Sequence, residues 1–161
     1  MASPPAPSER LRRALTHGGV VERYRAKVSI ANTNECWFWT GAVSGRGHGR
    51  FWVEDGFVII AHRFGYALAH GVEALPPTLA HGCDEPLCQN PSPGHLSPST
   101  NERNRAEWAW RRHTPGSPLR DARGSRERAT QLRNAARAGG DVEHVAQLGL
   151  LPVDRGQHPL W

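Results

Sequence analysis

The chain has 161 residues, of which 38% are hydrophobic, and carries a net charge of +5. That is the length of one domain with a small appendage, and so low an apolar fraction predicts a thin core that needs reinforcement. No window holds the roughly 18 consecutive apolar residues of a membrane span, and Met1-Ala2-Ser3-Pro4-Pro5-Ala6-Pro7 lacks the charged-then-apolar order of a signal peptide, so the cytosol is expected and no membrane partner.

Residues 1–8 are Pro-rich and expected to be disordered, within a flexible N-terminal segment of residues 1–19. Inside that segment Ser8, ahead of Glu9-Arg10-Leu11-Arg12-Arg13-Ala14-Leu15, can cap a short helix ended by Gly18-Gly19. Residues 21–30 are mixed in pattern and yield no assignment. From Cys36 the signals sharpen. Cys36-Trp37-Phe38-Trp39-Thr40 is aromatic and strand-like, residues 45–49 form a glycine-rich turn, and residues 50–53 and 57–60 flank Glu54-Asp55-Gly56 as a hairpin.

The period then changes. Phe64, Ala67 and Leu68 sit at helical spacing within residues 62–70, Gly71 closes that helix, and Pro76-Pro77 marks a loop. Further on, Ser99 with Glu102 makes a capping box for a helix to about His113, which places Asn104 in the second turn. Residues 114–118 read as a linker before two helical segments, 125–138 and 141–148, parted by Gly139-Gly140. The fold class is α+β, a small antiparallel β-sheet with a helical C-terminal tail, divided as a central domain at 20–113 and an Arg-rich extension at 114–161.

Between Pro77 and Ser99 lies the densest chemistry. Cys83, Cys88 and His95 stand at metal-ligand spacing, and Cys36 is the only other cysteine, so the four complete a Cys3His set suited to tetrahedral zinc. Three cysteines cannot all pair as disulfides, and three buried free thiols are the plain alternative. Four protein ligands close the coordination sphere, which makes such a zinc structural.

The run His81-x-Cys83-x4-Cys88-x-Asn90-Pro91, then His95-Leu96, then Asn104, resembles the His-Cys box branch of the HNH, or ββα-metal (His-Me finger), endonucleases of phages and mobile elements. The segments Cys36-Trp37-Phe38-Trp39-Thr40-Gly41, Gly49-Arg50-Phe51 and Ala61-His62-Arg63 add to that resemblance, which covers roughly residues 36–113. It implies a β-hairpin and helix around an active site that hydrolyses DNA phosphodiesters to 5′-phosphate and 3′-hydroxyl ends. His81 would be the general base, Asn104 the ligand of a catalytic divalent cation such as Mg2+, and Arg50 the group facing phosphate. Many members of that superfamily carry an aspartate just before the general base. Here the position is Ala80, so the catalytic cation would rest on Asn104, DNA oxygens and water. The link Ser92-Pro93-Gly94 is also longer than usual, a loop that can absorb its extra length.

Each of these residues has a plainer role open to it. His81 can serve as a neighbour of the zinc ligands or as an alternative ligand, Asn104 as a surface residue, and Arg50 as a solvated charge with Arg63 competing for its place. His62 is expected to pack or cap at a helix start, His48 to offer at most a backbone-phosphate contact, Asn90 to close the turn between the cysteines and His95, and Trp108 and Trp110 to be core and rim aromatics.

All but one of the 20 basic residues are arginine, Lys27 being the exception. Part of that bias, with the Ala, Gly and Pro richness, is the mark of a GC-rich genome, but the positive excess favours phosphate and hence DNA as a partner. Arg120, Arg123, Arg126, Arg128, Arg133 and Arg137 either form a helix-turn-helix-like DNA clamp or lie on a solvated helical hairpin. Besides a DNA endonuclease, which would need two copies or two visits to break both strands, the sequence leaves open an RNase. It also leaves open a catalytically silent zinc module that binds DNA in a phage or mobile-element assembly.

Overall fold

The computed structural model of the chain describes residues 7–157; residues 1–6, and the cap expected of Ser8, lie outside the described residues. The chain begins with two helices, α1 (Pro7–Thr16) and α2 (Gly18–Arg25). Gly18-Gly19 does not end a helix but starts α2. The break falls at His17, whose backbone is extended and whose carbonyl accepts the N–H groups of Val20 and Val21. Nor is residues 1–19 a loose segment from Pro7 onward, because Leu11 and Ala14 of α1 are buried in the main core. Arg10 and Arg13 reach Glu54, and Arg12 reaches Glu73.

Strands β1 (Val28–Ser29) and β2 (Phe38–Trp39) form an antiparallel pair, and β3 (Ala42–Val43), β4 (Gly49–Glu54) and β5 (Phe57–Ile60) form a second antiparallel sheet. The β4–β5 hairpin follows from alternation. Phe51 and Val53 point into the core beside Gly49, whereas Arg50 and Trp52 point out. Helix α3 (Ala61–His70) then packs on β4, its buried Phe64 4.8 Å from the Phe51 ring centroid. Tyr24 of α2 sits among Trp39, Phe51 and Phe64 with centroids 5.0–5.6 Å away. A Cβ at Gly65 would overlap the Tyr24 hydroxyl, so the close approach of α2 and α3 requires glycine there. This aromatic group is the interior that a thin apolar composition affords.

The last sheet pairs β6 (Thr78–His81) with β7 (Leu96–Ser99), antiparallel, with His81 opposite Leu96, and α4 (Asn101–Arg111) follows at once. Thr100, not Ser99, caps α4, its hydroxyl accepting from the Arg103 N–H. Ser99 is still paired with Thr78 in the sheet, so the next residue is the first one free to cap.

The C-terminal part contributes α5 (Ser125–Arg137) and α6 (Val142–Leu148). It is not an appendage after a linker. Ala129 and Leu132 are fully buried in the same core as Trp39 and Phe51, and Pro118, the last residue of the expected linker, opens a short 3-10 turn over residues 118–120. Among the described residues no helix is long and apolar enough to cross a membrane.

Candidate functional site

Cys36, Cys83, Cys88 and His95 converge from separate parts of the chain, and their ligand atoms lie within 4.8 Å of one another. Backbone pairing brings them there. Phe38 bridges to Cys88, the Trp39 N–H donates to the Leu87 carbonyl and the Gln89 N–H to the Trp37 carbonyl, which lays the Cys36 segment against the cysteine loop. Asn90 closes the arrangement. Its amide group donates to the carbonyls of Thr33 and Glu35, its oxygen accepts from the Ser92 N–H, and its own N–H lies 3.4 Å from Cys88 Sγ. At Gly82 a Cβ would run into the Gly94 backbone, so the two sides of the loop can meet only at glycine.

The donor geometry fits a tetrahedral ion. His95 Nδ1 stands 3.7 Å from Cys36 Sγ and 3.6 Å from Cys88 Sγ. Bonds of about 2.3 Å to sulfur and about 2.0–2.1 Å to nitrogen would set that separation near ~3.6 Å. The other ring nitrogen of His95 faces the Asn34 carbonyl at 3.1 Å, which fixes the tautomer that leaves Nδ1 as the donor atom. Hydrogen bonding to Cys36 and Cys83 lowers the Cys88 thiol to about 4, and Cys36 lowers that of Cys83, while Cys36 itself is raised by the same two neighbours. Thiolate character thus favours Cys83 and Cys88, and an ion bound by all four residues would also displace the proton of Cys36.

Beside this cluster opens a cavity of about 550 Å³, bordered by Arg46, His48, His81, Asn104, Arg105 and Trp108. His81 ends β6 and Asn104 lies, exposed, on α4, so the hairpin and the helix after it bring the two to one place. Arg111 of α4 ties them further, donating to the His81 carbonyl at 3.4 Å and to Asp84 at 3.2 Å. Asp84 has φ +54° and its carboxyl is raised to about 6 by burial, against the pull of Arg111. His81 Nδ1 is buried, the His81 ring helps to lower the Cys83 thiol, and Nε2 lies 3.3 Å from Nδ1 of His62.

Arg50 is not among the residues that border this cavity. Strand alternation turns it to the solvent face of β4 beside Trp52, and Arg63 is occupied with the carbonyls of Pro76 and Pro77. Four guanidinium groups border the cavity: Arg46, in the turn before β4, Arg105, one residue after Asn104, and Arg111 and Arg128, which are paired with Asp84 and Glu85. Trp108 and Trp110 are 49% and 59% exposed rather than core, because α4 buries none of its residues fully; Arg112 stacks on the Trp108 ring at 4.6 Å.

Two residues that the sequence reading set aside belong to this site. His48 and His62 join His81 in a second group whose ring nitrogens lie within 4.8 Å of one another. Burial and Arg46 hold His48 below the usual histidine range, and burial, with the neighbouring His81, holds His62 well below it. No motif spacing links three residues from three elements; nine histidines in one chain were the only available signal.

The chain is 33% identical over 84 residues to Protein 2.8 of Escherichia phage T7, a match that covers 52% of this chain and 55% of that protein. It is 38% identical over 56 residues to Protein 7.7 of the same phage, covering 35% of this chain and 42% of that protein. The chain therefore spans about half the length of the curated relatives it matches. No family model and no solved structure matches it.

Proposed function

We propose that the chain is a metal-dependent endonuclease of the ββα-metal (His-Me finger) type that hydrolyses DNA phosphodiesters. The observation that carries this reading is that His81 at the end of β6 and Asn104 on α4 line one cavity bordered by Arg46 and Arg105, directly beside the Cys/His cluster. A phosphodiester in that cavity meets guanidinium charge on its oxygens, and a histidine within reach of an attacking water. The similarity to two phage proteins is compatible with a phage or mobile-element origin.

Zinc suits the first cluster by donor set, by sulfur-to-nitrogen distance and by the tautomer of His95. Held by Cys36, Cys83, Cys88 and His95 it would be closed, a staple that fixes β6 relative to the loop. A hard cation such as Mg2+ would find one protein oxygen at Asn104 and take its other ligands from phosphate and water; it would supply charge neutralisation at the scissile phosphate. His81 accepts the proton of the attacking water. Arg46 and Arg105 hold the phosphate, and Arg111 keeps the His81 backbone in place from α4.

The test is cleavage of supercoiled plasmid in Mg2+ by the native protein beside His81→Ala and Asn104→Ala, each first shown to be folded. Nicked or linear product from the native protein, with a loss of about 10²-fold or more in both variants, supports the enzyme. Binding without cleavage by all three would assign the chain to a silent DNA-binding module, and cleavage of RNA in preference to DNA would change the substrate class.

A further inference from the structure

His48, His62 and His81 come from the turn before β4, the first turn of α3 and the end of β6, yet each places a ring nitrogen within 4.8 Å of the other two. Their ring centroids are 4.5, 5.5 and 5.8 Å apart, with interplanar angles of 45–83°, so the rings converge by their edges rather than stack. Histidine edges meet in this way around a shared ion. The closest pair, His81 Nε2 and His62 Nδ1, is 3.3 Å apart. Two imidazoles bound to one tetrahedral ion through bonds of about 2.0–2.1 Å would stand about 3.4 Å apart.

We propose that His48, His62 and His81 form a second metal site, separate from the Cys/His cluster, for a divalent cation of the zinc, cobalt and nickel class. The donors are three imidazoles without a carboxylate or a thiolate, a set that favours these borderline ions over Mg2+ and Ca2+. His62 is only 4% exposed and has no capping role in α3, whose N-cap is Ile60, so helix capping does not account for an imidazole at that position. His48 and His81 both border the cavity, which leaves the fourth coordination position facing it. Three protein ligands with an open position is the arrangement of a reactive metal site, in contrast to the closed four-donor cluster beside it. Arg46 and Arg105 flank the opening, so the exogenous ligand it selects is an anion of the phosphate type.

This site shares His81 and its cavity with the nuclease reading and competes with it. An ion bound at His81 takes the lone pair with which that residue would accept a proton, so ion binding at the three histidines and general-base action by His81 exclude each other in one molecule.

The experiment is a Co2+ titration of protein already carrying one zinc in the Cys/His cluster, followed by visible absorption and by total metal after gel filtration. A second equivalent is expected, with a tetrahedral cobalt spectrum free of thiolate charge-transfer bands that shifts on addition of inorganic phosphate. His48→Gln should weaken it about tenfold or more while the first zinc stays bound. His62→Gln should do the same, and because His62 is buried, the half-buried His48 carries the test should that second variant not fold. Absence of a second equivalent, thiolate bands showing exchange into the other cluster, or unchanged affinity in folded His48→Gln would each overturn the proposal. None of these readouts involves DNA, so failure to cleave plasmid leaves the metal site standing and the converse also holds.

Discussion

Arg128 of α5 pairs with Glu85, which lies between Cys83 and Cys88, and the two side chains are only 8% and 5% exposed. Arg128 also lies 3.2 Å from Asp121, whose carboxylate takes a second ion pair from Arg123 at 2.6 Å. Helix α5 is thus fastened to the cysteine loop by buried charge. Burial raises the Glu85 carboxyl, and Arg128 opposes that shift. Arg128→Ala leaves Glu85 buried without its partner and should cost about 3–5 kcal/mol, read from urea denaturation, with much of it recovered in the Arg128→Met/Glu85→Gln double variant. Equal stability of native protein and Arg128→Ala would refute this coupling.

That ion pair bears on the Arg-rich tail. Of its arginines, Arg120, Arg123 and Arg128 are held by Asp154, Asp121 and Glu85. Deleting residues 114–161 would also remove Ala129 and Leu132 from the core. The truncated chain should lose its cooperative unfolding transition in thermal denaturation, so DNA binding by the tail is tested instead at the exposed Arg126 and Arg137. Replacing both by Gln should leave stability within about 0.5 kcal/mol, and a lower salt slope of DNA affinity would reveal phosphate contacts.

The β4–β5 hairpin, α3 and three of the Cys/His ligands were legible because each rests on short-range information, namely alternation, helical spacing and ligand spacing, and Cys36 joined them as the one cysteine left. What was not legible is long-range. Nothing local distinguishes Arg128, whose partner is forty-three positions away in the chain, from the exposed Arg126. The direction of Arg50 could have been read from the alternation of Gly49, Phe51 and Val53, but the gathering of His48, His62 and His81 depends on how three elements cross. The start of α4 at Thr100 was one residue off because strand pairing, invisible in the capping pattern, holds Ser99.

Metal removal should unfold the site region. The quartet joins the Cys36 segment to the loop that ends β6, and binding energy at a site formed only on folding is folding energy, about 10–16 kcal/mol for structural zinc in small peptides. Chelator-treated protein, and Cys88→Ser with its fully buried sulfur position, should show a broadened transition at lower temperature in differential scanning calorimetry. Readdition of one equivalent of Zn2+ should restore the first sample and not the second.

Stability should fall as pH drops below about 6.5, the ordinary histidine value that His48 and His62 regain on unfolding. In the folded chain burial keeps both below it, so the unfolded state binds more protons in that window and acid favours unfolding. The contribution is fully present above about 6.5 and is lost as pH falls toward the folded values. Urea midpoints from about pH 8 down to about pH 5.5 should decline less steeply for His48→Gln than for native protein. Acid loss of metal from the Cys/His cluster is common to both and drops out of the comparison.

Asn104→Asp tests the proposed catalytic cation without disturbing the fold, since Asn104 is exposed on α4 and its replacement is isosteric. Asn104 offers the proposed cation a neutral oxygen, and Ala80 contributes none from β6. A carboxylate at position 104 adds a full negative charge near the ion, worth about 1 kcal/mol per unit of cation charge at solvent-like dielectric, so a gain in affinity of roughly fivefold or more. Half-maximal plasmid cleavage should therefore need several-fold less Mg2+ in Asn104→Asp and more in Asn104→Ala. An identical Mg2+ requirement in all three, with cleavage intact, would place the cation elsewhere, and the three-histidine site would then be the first alternative to examine, by the same assay in Mn2+ and Co2+ with His48→Gln.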